Sequence, residues 1–127
     1  MRIAVITDDS KTVSQYFRRA LFYLVFTVQN GKITLQELRL KANNSHEQGN
    51  AHSDLRDTDS RLAVMNTNMM GTIIDCDVLL ARGMDKAAYD GLKIRSIQPI
   101  ITDIQYVQAA VDAYLAGNII DHPDFLY

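Results

Sequence analysis

The chain has 127 residues, the usual size of one folded domain. With 47% hydrophobic and 22% charged residues, it has enough apolar material to fold without disulfides or a structural metal. Its 13 basic and 15 acidic side chains leave a net charge of −2 and are scattered, which argues against a general nucleic-acid binder or a polybasic membrane anchor.

The longest uninterrupted apolar run is Ala20 to Phe26, far short of the ~20 residues that a bilayer span needs. The apolar start of the chain ends at Asp8-Asp9, too soon for a signal peptide. Both features point to the cytoplasm. The single cysteine, Cys76, excludes an intrachain disulfide, a thioredoxin-type pair and an all-cysteine zinc or iron–sulfur site within one chain.

Ile3 to Thr7 is β-branched with no polar alternation, the pattern of a buried strand. Val13 to Arg19 is polar and aromatic, with room for one helical turn. Leu21 to Val28 reads as a second strand and Ile33 to Leu40 as its hairpin partner. Asn30-Gly31 between them supplies the two positive-φ positions of a tight hairpin turn. Ile33 and Leu35 are out of phase with Leu38 and Leu40, so a bulge near Gln36-Glu37 is expected. Lys41 to Asp57 contains no aromatic residue and reads as a long solvated loop.

Thr58 or Asp59 caps the next helix, whose buried stripe is Leu62, Met65, Met69 and Ile73. Asp75-Cys76-Asp77 breaks it, and Val78 to Ala81 is a short buried strand. A turn at Arg82–Asp85 leads into a helix over Lys86–Arg95 with Ala88 and Leu92 inward. Ile97 to Ile101 is the last strand, and Pro99 suits an edge position. Thr102 or Asp103 caps a final helix with Ile104, Val107, Val111 and Tyr114 inward and Gly117 as its stop. The residues from His122 onward form a tail. A hairpin followed by βαβ units implies one mixed sheet, as a two-layer or a three-layer α/β domain spanning 1–127.

Several pieces carry a resemblance in order and spacing. They are Ile3-Ala4-Val5, Val13-Ser14-Gln15-Tyr16-Phe17-Arg18-Arg19-Ala20, Asp75-Cys76-Asp77 with Gly83-Met84, Gln98-Pro99-Ile100-Ile101-Thr102 and Ala113-Tyr114-Leu115-Ala116-Gly117. The chain resembles the dinitrogenase iron–molybdenum cofactor biosynthesis family of NifX- and NafY-like proteins over nearly its whole length. The resemblance implies an α/β fold with a ribonuclease H-like motif: a five-stranded mixed sheet in order 3-2-1-4-5, flanked by helices. It also implies a non-enzymatic role in nitrogen fixation. That role is binding or carrying an iron–sulfur or iron–molybdenum-type cofactor, as a monomer or homodimer, with a cofactor donor or acceptor protein as partner and neither nucleic acid nor membrane involved.

In that topology ligands favour the crevice at the carboxyl ends of the strands. Thr7, Asp8 and Asp9 would line one side and Arg82, Gly83 and Met84 the other, with Val13–Phe17 above. The cofactor-binding candidates are therefore Asp8, Ser14, Tyr16, Phe17, Arg18, Cys76, Gly83 and Met84. His46 and His52 in the long loop are the metal-ligand candidates, set against a solvated loop whose histidines touch nothing. The family pattern Ser-x-His-Phe-Gly-x-Ala is altered here. Tyr16 stands at the histidine and Arg18 at the glycine, a change that suits an anionic ligand better than a soft iron site. Ser96 likewise stands where relatives often carry a helix-ending glycine.

Three other readings compete. A non-catalytic interaction module of the same fold would have lost the cofactor. A Mg²⁺-dependent nuclease would need Asp8, Asp9, Asp77, Asp85 and Asp103 to converge. For Cys76, and for Met65 and Met69 on their stripe, core packing competes with ligation.

Overall fold

In the computed structural model, which describes residues 1–41 and 70–126, five strands form one sheet in the order β3-β2-β1-β4-β5. They are β1 (Arg2–Thr7), β2 (Phe22–Gln29), β3 (Lys32–Leu40), β4 (Val78–Ala81) and β5 (Gln98–Ile101). β1 is central, antiparallel to β2 and parallel to β4. Its residues Ile3 to Thr7 are all buried, as an uninterrupted β-branched run requires. β5 pairs in parallel with β4 alone, so Pro99 sits on an edge strand as expected.

Helices α1 (Lys86–Ile94) and α2 (Val107–Leu115) pack on opposite faces and make three layers. One core joins Ala4, Ile6, Tyr23, Val25 and Leu79 to Ala88 and Leu92 of α1. The other joins Ile3, Val5, Leu24, Phe26 and Leu80 to Val107, Ala110 and Val111 of α2. Met70, Ile73 and Cys76 add to the first. Thr58, Asp59, Leu62, Met65 and Met69 lie outside the described residues.

Four local expectations are corrected. The bulge falls between Ile33 and Leu35, opposite Thr27 and Val28, and not at Gln36-Glu37. It brings Ile33 onto the face of Leu38 and Leu40 and leaves Leu35 on the other face, largely exposed. The second correction is Lys41, which is fully buried rather than part of a solvated loop. Its ammonium lies over two aromatic rings and its backbone N–H donates to the Leu21 carbonyl at 3.0 Å.

The third is the start of the last helix, at Val107 and not just after Thr102 or Asp103. Residues 102–106 are kept out of the helix by the loop after β1: Val13 N–H donates to Gln105 O at 2.8 Å and Val107 N–H to Lys11 O at 2.9 Å. The fourth is the tail, which is docked. Ile101 N–H donates to the Asp121 carboxylate, and His122 N–H donates to Ile101 O. Leu126 then bridges to Met84.

Two predicted turns form as read. Asn30 and Gly31 both take positive φ in the hairpin. Gly117 (φ 77°) ends α2, with its own N–H on Tyr114 O and that of Asn118 on Ala113 O. Helix α1 ends with the same bond pattern, Ser96 to Lys93 and Ile97 to Leu92, but the left-handed residue is Ser96 at φ 62°. Because a side chain there is strained while glycine is not, Ser96→Gly is expected to stabilise the fold by ~0.5–1 kcal/mol in urea denaturation.

Candidate functional site

β1, β4 and β5 run in the same direction, so the chain leaves all three at one end of the sheet. The loops that follow them meet there. The loop after β1 is the most elaborate, and its sequence dictates its course. The Asp9 carboxylate accepts the N–H groups of Lys11 (2.9 Å) and Thr12 (2.8 Å) and the Thr12 hydroxyl. These bonds, Thr12 first, hold its carboxyl down at about 2. The buried Thr7 hydroxyl donates to Thr12 O at 2.7 Å and closes the turn from below.

Ser14 then stitches the loop to two strands. Its N–H donates to Ile6 O at 2.9 Å, and its carbonyl accepts Arg82 N–H at 3.0 Å. Its hydroxyl accepts the Tyr16 N–H at 3.1 Å. The Tyr16 carbonyl accepts Arg19 and Ala20 N–H, which is the single turn anticipated for Val13–Arg19. Asp8 closes the loop by accepting the Leu21 N–H at 2.8 Å.

The turn sends alternate side chains in and out. Phe17 is fully buried and Tyr16 is exposed. Arg18 reaches across to the residue before α1 and makes a two-pronged ion pair with Asp85 at 2.9 and 3.0 Å. The Arg19 guanidinium lies 5.2 Å from the Tyr16 ring centre.

An open cleft of about 430 Å³ results. Gln15 and Tyr16 come from the loop after β1, Arg82 and Gly83 from that after β4, and Thr102 and Asp103 from that after β5. Phe125, from a short 3₁₀ turn at Pro123–Phe125, forms the last wall. Its ring stacks on His122 at 4.7 Å, and His122 Nε2 stands 3.9 Å from the Asp103 carboxylate. A second hollow, lined by Tyr16, Arg18, Arg19 and Asp85, adjoins the first through Tyr16.

Of the candidates, Asp8, Ser14, Tyr16, Arg18 and Gly83 stand at this end of the sheet. Phe17 and Met84 are wholly buried and support the site from below. Cys76 is not brought to it. It precedes β4 and so lies at the amino end of that strand, beside Asp77, whose N–H and carboxylate both bond Arg2 of β1. Burial, and then the Asp75 carboxylate, push the Cys76 thiol up to about 12. In the folded protein at pH 8 it is therefore expected to resist an aromatic disulfide reagent, and to react within seconds once guanidinium unfolds the chain. His46 and His52 lie outside the described residues.

The acids do not assemble. Asp8, Asp9 and Asp85 are each spent on loop N–H groups or Arg18, and Asp77 lies at the far end. Among the described residues no three His, Cys, Asp or Glu side chains form a group able to hold a metal ion. Nor is any helix there long and apolar enough to cross a membrane.

Sequence reasoning missed Phe125 and Lys41, read Thr102 only as a cap, and read Asp103 as a cap or as one acid of a nuclease site. Pro123, placed to open a short turn, was the available signal for Phe125.

A three-layer α/β domain with an open, arginine-bearing crevice beyond its parallel strands is a ligand-binding architecture. The chain belongs to the dinitrogenase iron–molybdenum cofactor family, whose model matches residues 1–117. No curated protein matches it in sequence.

Solved structures share the fold. The apo form of the orange protein from Desulfovibrio gigas is 19% identical, with 96% of this chain and 92% of that one covered and a TM-score of 0.66. A provisionally named dinitrogenase from Methanocaldococcus jannaschii is 10% identical, with 97% and 95% covered and a TM-score of 0.62. The protein PH0822 is 15% identical, with 98% and 99% covered and a TM-score of 0.66.

Proposed function

We propose that this chain binds a preformed, anionic metal–sulfur cofactor of the iron–molybdenum type as cargo and passes it on without catalysing a reaction. The observation that carries this reading is the placement of Arg82 in the crevice and of Arg18 and Arg19 in the hollow that adjoins it through Tyr16, against Asp103 and the Asp85 that pairs with Arg18. Family membership supplies the chemical class.

The donor set limits how that cargo is held. Among the described residues that line the crevice there is no thiolate or imidazole to ligate a bare iron: Cys76 is elsewhere, the family's histidine position holds Tyr16, and His122 stacks on Phe125 without lining the cleft. The set does fit the outer surface of a cluster that arrives complete. Guanidinium groups donate to sulfide or oxyanion edges, and the Tyr16 and Phe125 rings exclude water from its sides. Few direct bonds also allow release.

In this reading one ribonuclease H-like domain spans 1–127, works in the cytoplasm as a monomer or homodimer, and meets a cofactor donor or acceptor protein. The tight Arg18–Asp85 pair favours a second reading, an interaction module of the same fold. There Arg18 at the family's glycine position would serve structure alone.

Anaerobic loading with a preformed iron–molybdenum-type cluster, followed by metal per chain and the visible spectrum, tests the choice. Bound iron with charge-transfer bands that survive Cys76→Ser and fall at least fivefold in Arg82→Ala supports the carrier. A colourless chain that also fails to take up a preformed cluster from a donor protein supports the interaction module.

A further inference from the structure

A fully buried lysine is among the rarest of core residues and calls for a structural reason. Lys41 has 0% of its surface exposed. It follows β3, at the same end of the sheet as the crevice, because β3 is antiparallel to β2 and β2 to β1. Its ammonium nitrogen is 4.4 Å from the centre of the Phe17 ring and 5.6 Å from that of Tyr23. That nitrogen donates a hydrogen bond to the Phe17 carbonyl. Phe17 belongs to the turn between Tyr16 and Ala20 that carries Tyr16 and Arg18 to the crevice.

We propose that Lys41 is the positioning residue of the crevice: by holding the Phe17 carbonyl from within the core, its amine sets the turn that presents Tyr16 and Arg18 to the ligand. This rests on the crevice being the binding site. Nothing else within the core holds that carbonyl among the described residues. A neutral apolar side chain would fill the same space without fixing the turn.

Charged groups reach the amine from both elements packed on it. Arg18 and Asp8 act from the loop after β1, while Tyr23 of β2 offers a phenol raised well above its usual value, first by burial and then by Cys76. Burial, and then Arg18, lower the Lys41 amine to about 7, with Asp8 opposing. The protonated form is the stronger donor and the one the rings attract, so the turn is held most tightly below neutrality.

The test is made on the ligand-free protein by NMR between pH 5.5 and 9. The Lys41 ε-carbon and the amides of residues 16–20 are expected to titrate with one shared midpoint. In Lys41→Met those amides should lose the titration and exchange with solvent at least tenfold faster, while those of Leu79 and Leu80 stay protected. Lys41→Arg, charged throughout the range, should keep the protection and show no titration.

Unchanged exchange at residues 16–20 in a folded Lys41→Met protein would overturn the proposal. So would turn amides that ignore the Lys41 titration. The wild-type titration decides alone if the variants do not fold. Because no ligand is present, failure here leaves the crevice's binding role standing, and failure of that role leaves this result unaffected.

Discussion

Raising the pH from 7 to 9 is expected to stabilise the protein by about 2 kcal/mol. The cause is Lys41. Its amine titrates near 10.5 when exposed but near 7 in the core. Between those values the unfolded chain holds a proton that the native state lacks, so stability rises with pH. The two-unit window corresponds to at most roughly 2.7 kcal/mol, and the native amine, still about half protonated at pH 7, brings this down to about 2.

Cys76 works in the opposite sense above its ordinary value of 9.0. The unfolded thiol then loses its proton while the buried one keeps it, which offsets the Lys41 gain that runs up to 10.5. The raised Tyr23 phenol adds to the loss above its ordinary value of 10.0, so the curve peaks between pH 9 and 10 and falls beyond. Urea denaturation at intervals between pH 6 and 10.5 should show the rising limb in the wild type and lose it in Lys41→Met. Cys76→Ser should flatten the falling limb. A wild-type curve that stays flat from 7 to 9 would mean that the amine is charged in the core at neutral pH.

The second large effect concerns the bridge that Arg18 builds to the start of α1. Both side chains are only about a quarter exposed (22% and 25%), and the contact is two-pronged. That places it between surface pairs of ~0–1 kcal/mol and buried pairs whose rupture costs ~3–5 kcal/mol. Removing either partner is expected to cost ~1–3 kcal/mol, and Asp85→Ala more than Arg18→Ala. An isolated Asp85 would still sit at the amino end of α1, where the helix dipole favours a negative charge. An Arg18 without Asp85 would keep a half-buried cation. A double-mutant cycle should give a coupling of ~1–2 kcal/mol; a coupling near zero would mark the pair as a solvated contact.

Much of this fold was legible in the chain because its signals are local. Five apolar runs, an Asn-Gly turn and two amphipathic helices fix element type, and the family resemblance supplied strand order. The errors have one common physical source, long-range partners. The bulge moved to Thr34 because pairing across β2 decides phase, and residues 102–106 stayed out of the helix because residues 11–13 bond Gln105 and Val107. Lys41 was hidden for the same reason. Its neighbours in space, Phe17 and Tyr23, are far off in sequence, and a lysine beside a polar stretch reads as solvated. At the crevice, Arg82 and Gly83 were readable from the strand ends of the topology that the resemblance implies, and Tyr16 from the family's segment pattern. Phe125 was not, since only the docked C-terminal segment brings it there.

The most direct test of the crevice as the cargo site is paramagnetic broadening of backbone amides after anaerobic loading with a preformed iron–molybdenum-type cluster. The expected result is selective loss of the amide signals of Gln15, Tyr16, Gly83 and Phe125, with those of Asp75 to Val78 retained. Loss centred on Asp75 to Val78, with the crevice signals intact, would contradict the assignment and return the cargo to Cys76.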